Sequence, residues 1–377
     1  MMLNDPSLTT PYLLLDKVKF RRNIRRLYDH IDSLHCQIRP HLKTLRTVQS
    51  APWLLRDRAS PATVSTLAEA EAFAAAGYRN ILYAVGIAPD KLPRIAACLR
   101  QGAQVHLLLD SLTQAQAISA YGQQHQVAFS MFIEIDCDGH RGGIKPDDSA
   151  LTDIGAYLQQ NGMHVEGVLT HAGESYHCRT QDEIAQAARA ECQAAIKAAK
   201  RLRAAGVTCP VVSVGSTPTA HAVRDLDGVT EVRAGVFSTF DLFMTNLGVC
   251  TADDIALSVV TTVIGHNAEK GWLFVDAGWM AMSRDRGTAS QKTDYAYGLV
   301  CDSEGRSTGL LLSSTNQEHG IIAIPPDSGH QVTDFSLGTR LRILPNHACA
   351  TAGMHTRYQV MDSQSGEHEV WHRVTGW

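Results

Sequence analysis

The 377 residues are 44% hydrophobic and 19% charged, which suits a globular chain with more than one small core and excludes wholesale disorder. Lys and Arg total 34 against 38 Asp and Glu, and the net charge of −4 offers no basic footprint for nucleic acid. No apolar run approaches the roughly 18 residues of a membrane helix, residues 1–6 lack a secretory-signal layout, and the nine cysteines include no C-x-x-C pair, so a cytoplasmic setting without disulfides is expected.

In chain order, Thr10 to Leu15 reads as a strand. Lys17 to Ile31 carries Phe20, Ile24, Leu27, Tyr28 and Ile31 at helical spacing and is the first expected helix. Eight strand candidates follow, at 36–39, 62–65, 81–85, 105–109, 129–135, 165–169, 211–214 and 231–233. Helical stretches lie between them at 66–76, 89–101, 111–124 and 183–205, and Gly77, Gly102 and Gly206 supply stops. Strands alternating with helices pair in parallel through crossovers. Eight such units suit a closed (β/α)8 barrel. No G-x-G-x-x-G opens the first unit, which counts against an open doubly wound sheet. Past residue 245 the runs 255–265, 271–276, 309–313, 320–324 and 339–344 are β-rich and punctuated by turn residues. The expected architecture is α/β: a TIM-type barrel over 16–245, then a mostly β domain over 246–377, with which 1–15 is expected to pair.

Catalytic groups of such a barrel cluster at the C-terminal ends of strands. Past the first strand stands Lys43, a candidate Schiff-base lysine or a solvated surface lysine. Past the fifth, glycines flank Arg141, which either projects into a site or decorates a turn. Past the sixth comes a dense polar run from Thr170 to His177. Past the seventh and eighth come Gly215-Ser216-Thr217 and Ala234-Gly235-Val236, small residues that either let a phosphate approach or make tight turns. Lysine, phosphate cradle and arginine together point to pyridoxal phosphate (PLP). In the β domain His347 and Cys349 lie two apart. If they stand on a strand they share a face and can hold one metal; the alternative is a buried thiol beside a hydrogen-bonded imidazole. The polar run 316–320 offers Gln317 and His319 as substrate contacts.

These residues are recognisable together. Pro40-His41-Leu42-Lys43-Thr44 resembles the PLP-lysine motif of the alanine-racemase-like (fold type III) enzymes. Thr170-His171-Ala172-Gly173-Glu174-Ser175-Tyr176 is similar to a segment of their D-serine dehydratase and D-threo-3-hydroxyaspartate dehydratase group. The stretches 214–219 and 232–236 resemble its phosphate loops. Pro345 to Thr351 looks like its metal motif, in which related aldolases have Asp where Cys349 stands. The stretch Asp276 to Gly287 supports the same group. Phe237 departs from the tyrosine that many relatives carry.

The resemblance implies a PLP- and metal-dependent ammonia-lyase acting on D-3-hydroxy amino acids. D-threo-3-hydroxyaspartate would give oxaloacetate and D-serine would give pyruvate. Alternatives are a D-threonine or 3-hydroxy-D-aspartate aldolase, an amino-acid racemase, or a PLP-binding protein without catalysis. Lys43 would hold the cofactor and act as base. Arg141, His171 and Tyr176 would contact PLP, with Gly215, Ser216, Thr217, Gly235 and Val236 around its phosphate. His347 and Cys349 would bind zinc first, with manganese and cobalt as alternatives. The resemblance also implies a homodimer, with active sites where one subunit's barrel meets the partner's β domain.

Overall fold

The computed structural model describes residues Ser7–Trp377. Residues 1–6, the opening of the segment expected to join the β domain, lie outside the described residues. Strand β1 (Tyr12–Asp16) leads into a helix at Lys17–Ser33. Eight parallel strands then follow: β2 (Gln37–Ile38), β3 (Pro61–Val64), β4 (Asn80–Gly86), β5 (Gln104–Leu109), β6 (Ser130–Ile135), β7 (His164–Thr170), β8 (Val211–Val214) and β9 (Glu231–Val232). Their order in the sheet is β2-β9-β8-β7-β6-β5-β4-β3. Just past β2, the Thr63 N–H donates to the Pro40 carbonyl at 2.9 Å and the Leu42 N–H to the Thr63 carbonyl at 2.8 Å. This bridge between His41 and Thr63 completes the ring. The expected (β/α)8 barrel is therefore present, strand for strand.

Local chemistry sets the helices between the strands. Thr66 accepts the Glu69 N–H while the Glu69 carboxylate accepts the Thr66 N–H, a reciprocal cap that starts Leu67–Ala75. Thr180 and Glu183 repeat it ahead of Gln181–Ala204. A helix at Ala150–Gln160 is missing from the sequence reading, although Leu151, Ile154 and Leu158 form its buried stripe. Strands β3 and β5 to β9 are buried along most of their length, as expected for a parallel sheet covered on both faces. Inside the ring, Arg39 Nε donates to Glu231 Oε1 at 2.7 Å and Arg39 Nη1 to Asn80 Oδ1 at 2.8 Å. The barrel interior thus holds a paired charge rather than an all-apolar fill.

The remaining strands are β10 (Leu257–Asn267), β11 (Trp272–Val275), β12 (Leu299–Cys301), β13 (Ser307–Thr315), β14 (Gly320–Ala323), β15 (Arg340–Leu344), β16 (Arg357–Met361) and β17 (His368–His372). With β1 they form one sheet in the order β11-β14-β13-β12-β15-β10-β1-β16-β17. β1 runs antiparallel to β10 and parallel to β16, so the return of the opening segment to this domain is observed. Tyr12 and Leu14 pack there against Val260. The sequence reading has no counterpart for β12, β16 and β17. Contacts divide the chain into two compact units. One is Arg25–Gly235 with Val374–Trp377; the other joins residues 7–24 to Val236–Arg373.

Candidate cofactor and metal sites

The barrel's polar residues gather past the C-terminal ends of its strands. Lys43 follows the His41–Thr63 bridge and is exposed. His41 and His171 belong to the same cluster. Burial pushes both imidazoles down, and the positive charges of Lys43 and Arg233 push them further. His171 falls to about 3, with Arg141 adding to the effect. His171 Nδ1 lies 3.1 Å from the Gly215 carbonyl, and its ring centroid is 6.0 Å from that of Tyr176. Arg141 stands on the loop after β6, exposed, with Nη2 3.3 Å from Glu134 Oε1. Arg233 is 5% exposed and donates to Ser213 Oγ at 2.6 Å and to the Thr170 carbonyl. Two neutral imidazoles among three cations make a place short of negative charge.

The loop after β8 is built by a residue that sequence reading missed. Glu191, buried on the helix Gln181–Ala204, accepts the N–H of Ala172 and of Gly215 on Oε1, both at 2.9 Å. Its Oε2 accepts the Thr219 hydroxyl at 2.7 Å. One carboxylate thus ties the segment after β7 to the segment after β8. The Ser216 N–H is taken by Thr219 Oγ1 at 3.0 Å. The Gly215 N–H is thus held by the helix through Glu191, and the Ser216 N–H closes the turn on Thr219. Gly215 adopts φ +133°, and a Cβ there would stand 2.1 Å from the Arg233 carbonyl oxygen, so no other residue fits. Thr217 Oγ1 is buried with no hydrogen-bond partner among the described residues. An unpartnered hydroxyl in a cation-rich cradle fits a phosphate-bearing group such as PLP. A lone Glu in a helix interior carries no local signal; only the loops it holds reveal it.

In the β-rich unit the turn after β15 differs from expectation. His347 and Cys349 do not stand on a strand. His347 has extended backbone and caps a helix at Ala348–Gly353, with Cys349 in its first turn. Buried Asn346 holds the turn, donating to the Ala296 carbonyl at 2.6 Å and accepting from Thr288 Oγ1 at 3.2 Å. Buried Asp241 accepts the Ala348 N–H at 2.9 Å. The imidazole and the thiol still meet, because His347 hydrogen-bonds Cys349 across the start of the helix. His347 Nδ1 lies 2.7 Å from Asp285 Oδ2. Burial works against a charge on this ring, yet the bonds to Asp285 and Cys349 and the field of Asp241 push it up to about 11. With Nδ1 held by a carboxylate, Nε2 is the nitrogen left for a metal, the usual arrangement around a zinc imidazole. Nitrogen and sulfur donors with a carboxylate behind them fit a divalent cation of the zinc class.

Val236 opens a buried 3-10 turn, Val236–Ser238, in the β-rich unit, whereas Gly235 closes the barrel unit and packs on His41. Gln317 and His319 are exposed on the hairpin between β13 and β14. Their backbone serves structure there: Asn316 N–H donates to the His319 carbonyl, and Met280 N–H to the Gln317 carbonyl. No helix among the described residues is long and apolar enough to cross a membrane.

Residues 15–242 match the family profile described as alanine racemase, N-terminal domain, and residues 256–361 match that of a putative serine dehydratase domain. The D-threo-3-hydroxyaspartate dehydratase of Delftia sp. is 52% identical, with 98% of each chain covered. The D-serine dehydratase of Dictyostelium discoideum is 28% identical, with 95% of each covered. Among solved structures, a mutant of D-threo-3-hydroxyaspartate dehydratase in a metal-free form superposes with a TM-score of 0.96 at 51% identity, covering 100% of this chain and 99% of that one.

Proposed function

Because the chain belongs to the alanine racemase-like family and, within it, to the group of D-threo-3-hydroxyaspartate and D-serine dehydratases, we propose that it is a PLP- and metal-dependent lyase whose main substrate is D-threo-3-hydroxyaspartate. Loss of the β-hydroxyl with the α-proton, then hydrolysis, yields oxaloacetate and ammonia. D-serine would yield pyruvate and ammonia by the same route. The observation that carries this reading is 52% identity extending across both units, the lysine-bearing barrel and the His347 turn alike.

PLP, held by Lys43 with Thr217 and Gly235 around its phosphate, supplies an electron sink for the charge left at Cα. A divalent ion on His347 and Cys349, zinc by its donor set, supplies Lewis acidity for a departing hydroxyl. The chain's own residues do the rest. Lys43 takes the α-proton on Nζ. His41 and His171, pressed into the neutral state, add no competing cation and present imidazole edges to a bound anion. Arg141 and Tyr176 flank the same space. Arg233 and Glu191 do not touch the reacting atoms; they keep the strand ends and the β8 loop in register. We further propose a cytoplasmic homodimer. All nine cysteines are free, in keeping with a reducing compartment.

The test is keto-acid release from purified protein with D-threo-3-hydroxyaspartate, D-serine and D-threonine, before and after chelation and zinc addition. Metal-dependent oxaloacetate is the expected product. Glycine and an aldehyde with no keto acid would move the protein to the aldolase reaction.

A further inference from the structure

Beside the cofactor cluster, three side chains converge that the proposed reaction does not use. His140 lies on the loop after β6, and Glu174 and His177 on the 3-10 turn Gly173–His177 after β7. Glu174 receives an imidazole on each oxygen: His140 Nδ1 is 2.7 Å from Oε1 and His177 Nδ1 is 3.2 Å from Oε2. One ligand atom from each residue lies within 4.8 Å of the others, and this is the one such trio of potential metal ligands among the described residues.

The backbone presents the trio. Asp138 accepts the His140 N–H on Oδ1 at 3.1 Å and the Glu174 N–H on Oδ2 at 2.9 Å, so one carboxylate clamps both segments. His140 is seated against Gly173, where a Cβ would stand 2.2 Å from the ring Cδ2. Any other residue at 173 would displace the imidazole. Donors on a tetrahedral zinc with bonds of about 2.0–2.2 Å sit roughly 3.3–3.6 Å apart. The two hydrogen-bonded pairs, at 2.7 and 3.2 Å, need a small opening, and the three ligand atoms, within 4.8 Å of one another, close to that spacing around an ion.

We propose that His140, Glu174 and His177 form a second divalent-metal site, separate from His347 and Cys349. Two imidazoles and one carboxylate select zinc or cobalt over magnesium or calcium, which prefer all-oxygen shells. Water completes the coordination, because all three residues are exposed. An ion takes the place of the hydrogens in the two imidazole–carboxylate hydrogen bonds. An ion there staples the loop that carries Arg141 to the turn that carries Tyr176, and so tunes the cofactor cluster from outside.

The inference rests on the trio's geometry and not on the proposed reaction, so it is tested where the first metal pair is gone. The full-length His347→Ala/Cys349→Ala variant is stripped with chelator, dialysed against zinc at pH 7.5 and analysed for metal. The expected result is one zinc per chain. Adding His140→Ala and His177→Ala should remove it, and Glu174→Gln should weaken it at least tenfold. Cobalt in place of zinc should show ligand-field bands with no thiolate charge-transfer band. No zinc in the double variant, zinc that survives loss of both histidines, or a thiolate band would each overturn the assignment. Circular dichroism on each variant separates a lost site from a lost fold.

Discussion

At the strand ends of the barrel, His41 and His171 stand among Lys43, Arg141 and Arg233 and are driven towards the neutral form. After β15, His347 stands among Asp285, Cys349 and Asp241 and is driven towards the charged form. The residue type is the same and burial lowers all three rings; at the strand ends the cations deepen that fall, whereas at His347 the bonds to Asp285 and Cys349 overcome it. The first place has cations to spare and asks for an anionic ligand. The second has acceptors to spare and asks for a cation. A site's ligand can thus be read from which charge its own residues leave uncompensated, and the two ligands should be separable by mutation.

Lys43→Ala tests the barrel side with the largest expected effect. It should lower kcat/KM by about 10⁴-fold and abolish the visible cofactor band, without changing metal content. Metal lost together with the band would break the comparison. Cys349→Ala is the mirror experiment, expected to lower keto-acid formation by about 10³-fold. Its cofactor band should stay, and added zinc should not restore turnover. Asp285→Asn is the finer probe, because Asn lacks the negative charge that holds the His347 ring. Metal affinity should weaken about 10–100-fold, the usual range for a ligand's supporting carboxylate. An unchanged affinity would show that Asp285 does not orient the ring.

Much of this was legible in the sequence, and what was not has identifiable reasons. All eight barrel strands and the return of β1 follow from apolar runs and the spacing of helices, a signal strong where both faces of a strand are buried. Lys43, Arg141 and the His171 segment follow from position, since strand ends are short in sequence and crowd together in space. His347 and Cys349 do come together, though not for the reason their spacing suggests. A spacing of two implies strand alternation, yet a helix start aligns them, with Asn346 and Asp241 bracing the turn. β16 joins the sheet through the distant β1, and β17 is a mostly exposed edge strand paired with β16, so neither carries the long apolar run of a central strand. Glu191 was invisible for another reason. Its three bonds run to Ala172, Gly215 and Thr219, and nothing in a helix of Ala, Gln and Arg marks one buried acid from the exposed ones.

Glu191 gives the next prediction. Glu191→Ala leaves two buried N–H groups and one hydroxyl without their acceptor, at a cost of about 1–3 kcal/mol for each group left unpaired. Glu191→Gln keeps a carbonyl for the Ala172 and Gly215 N–H groups, and its amide can donate to Thr219. The expected order of cofactor affinity is wild type, then Gln within about threefold, then Ala at least tenfold weaker. Fluorescence titration with PLP measures it. Equal affinities for Gln and Ala would mean that Glu191 supports the helix and not the loop.

His106 sharpens the barrel side at the smallest scale. It is 5% exposed, with Nδ1 2.9 Å from Ser130 Oγ. Burial first, then the Arg39 charge, press its pKa down to about 4. The unfolded chain should bind this proton near the ordinary value of about 6.5. Between those two values the unfolded state holds a proton that the folded state refuses, so stability rises with pH. The contribution is complete above 6.5 and is lost as pH falls towards 4, at up to about 1.4 kcal/mol per pH unit. His106→Gln should flatten that part of the urea-unfolding profile, because its amide bonds Ser130 without titrating. Parallel profiles for wild type and His106→Gln would mean that this imidazole charges freely in the fold, and the contrast with His347 would then belong to the strand ends alone and not to the barrel.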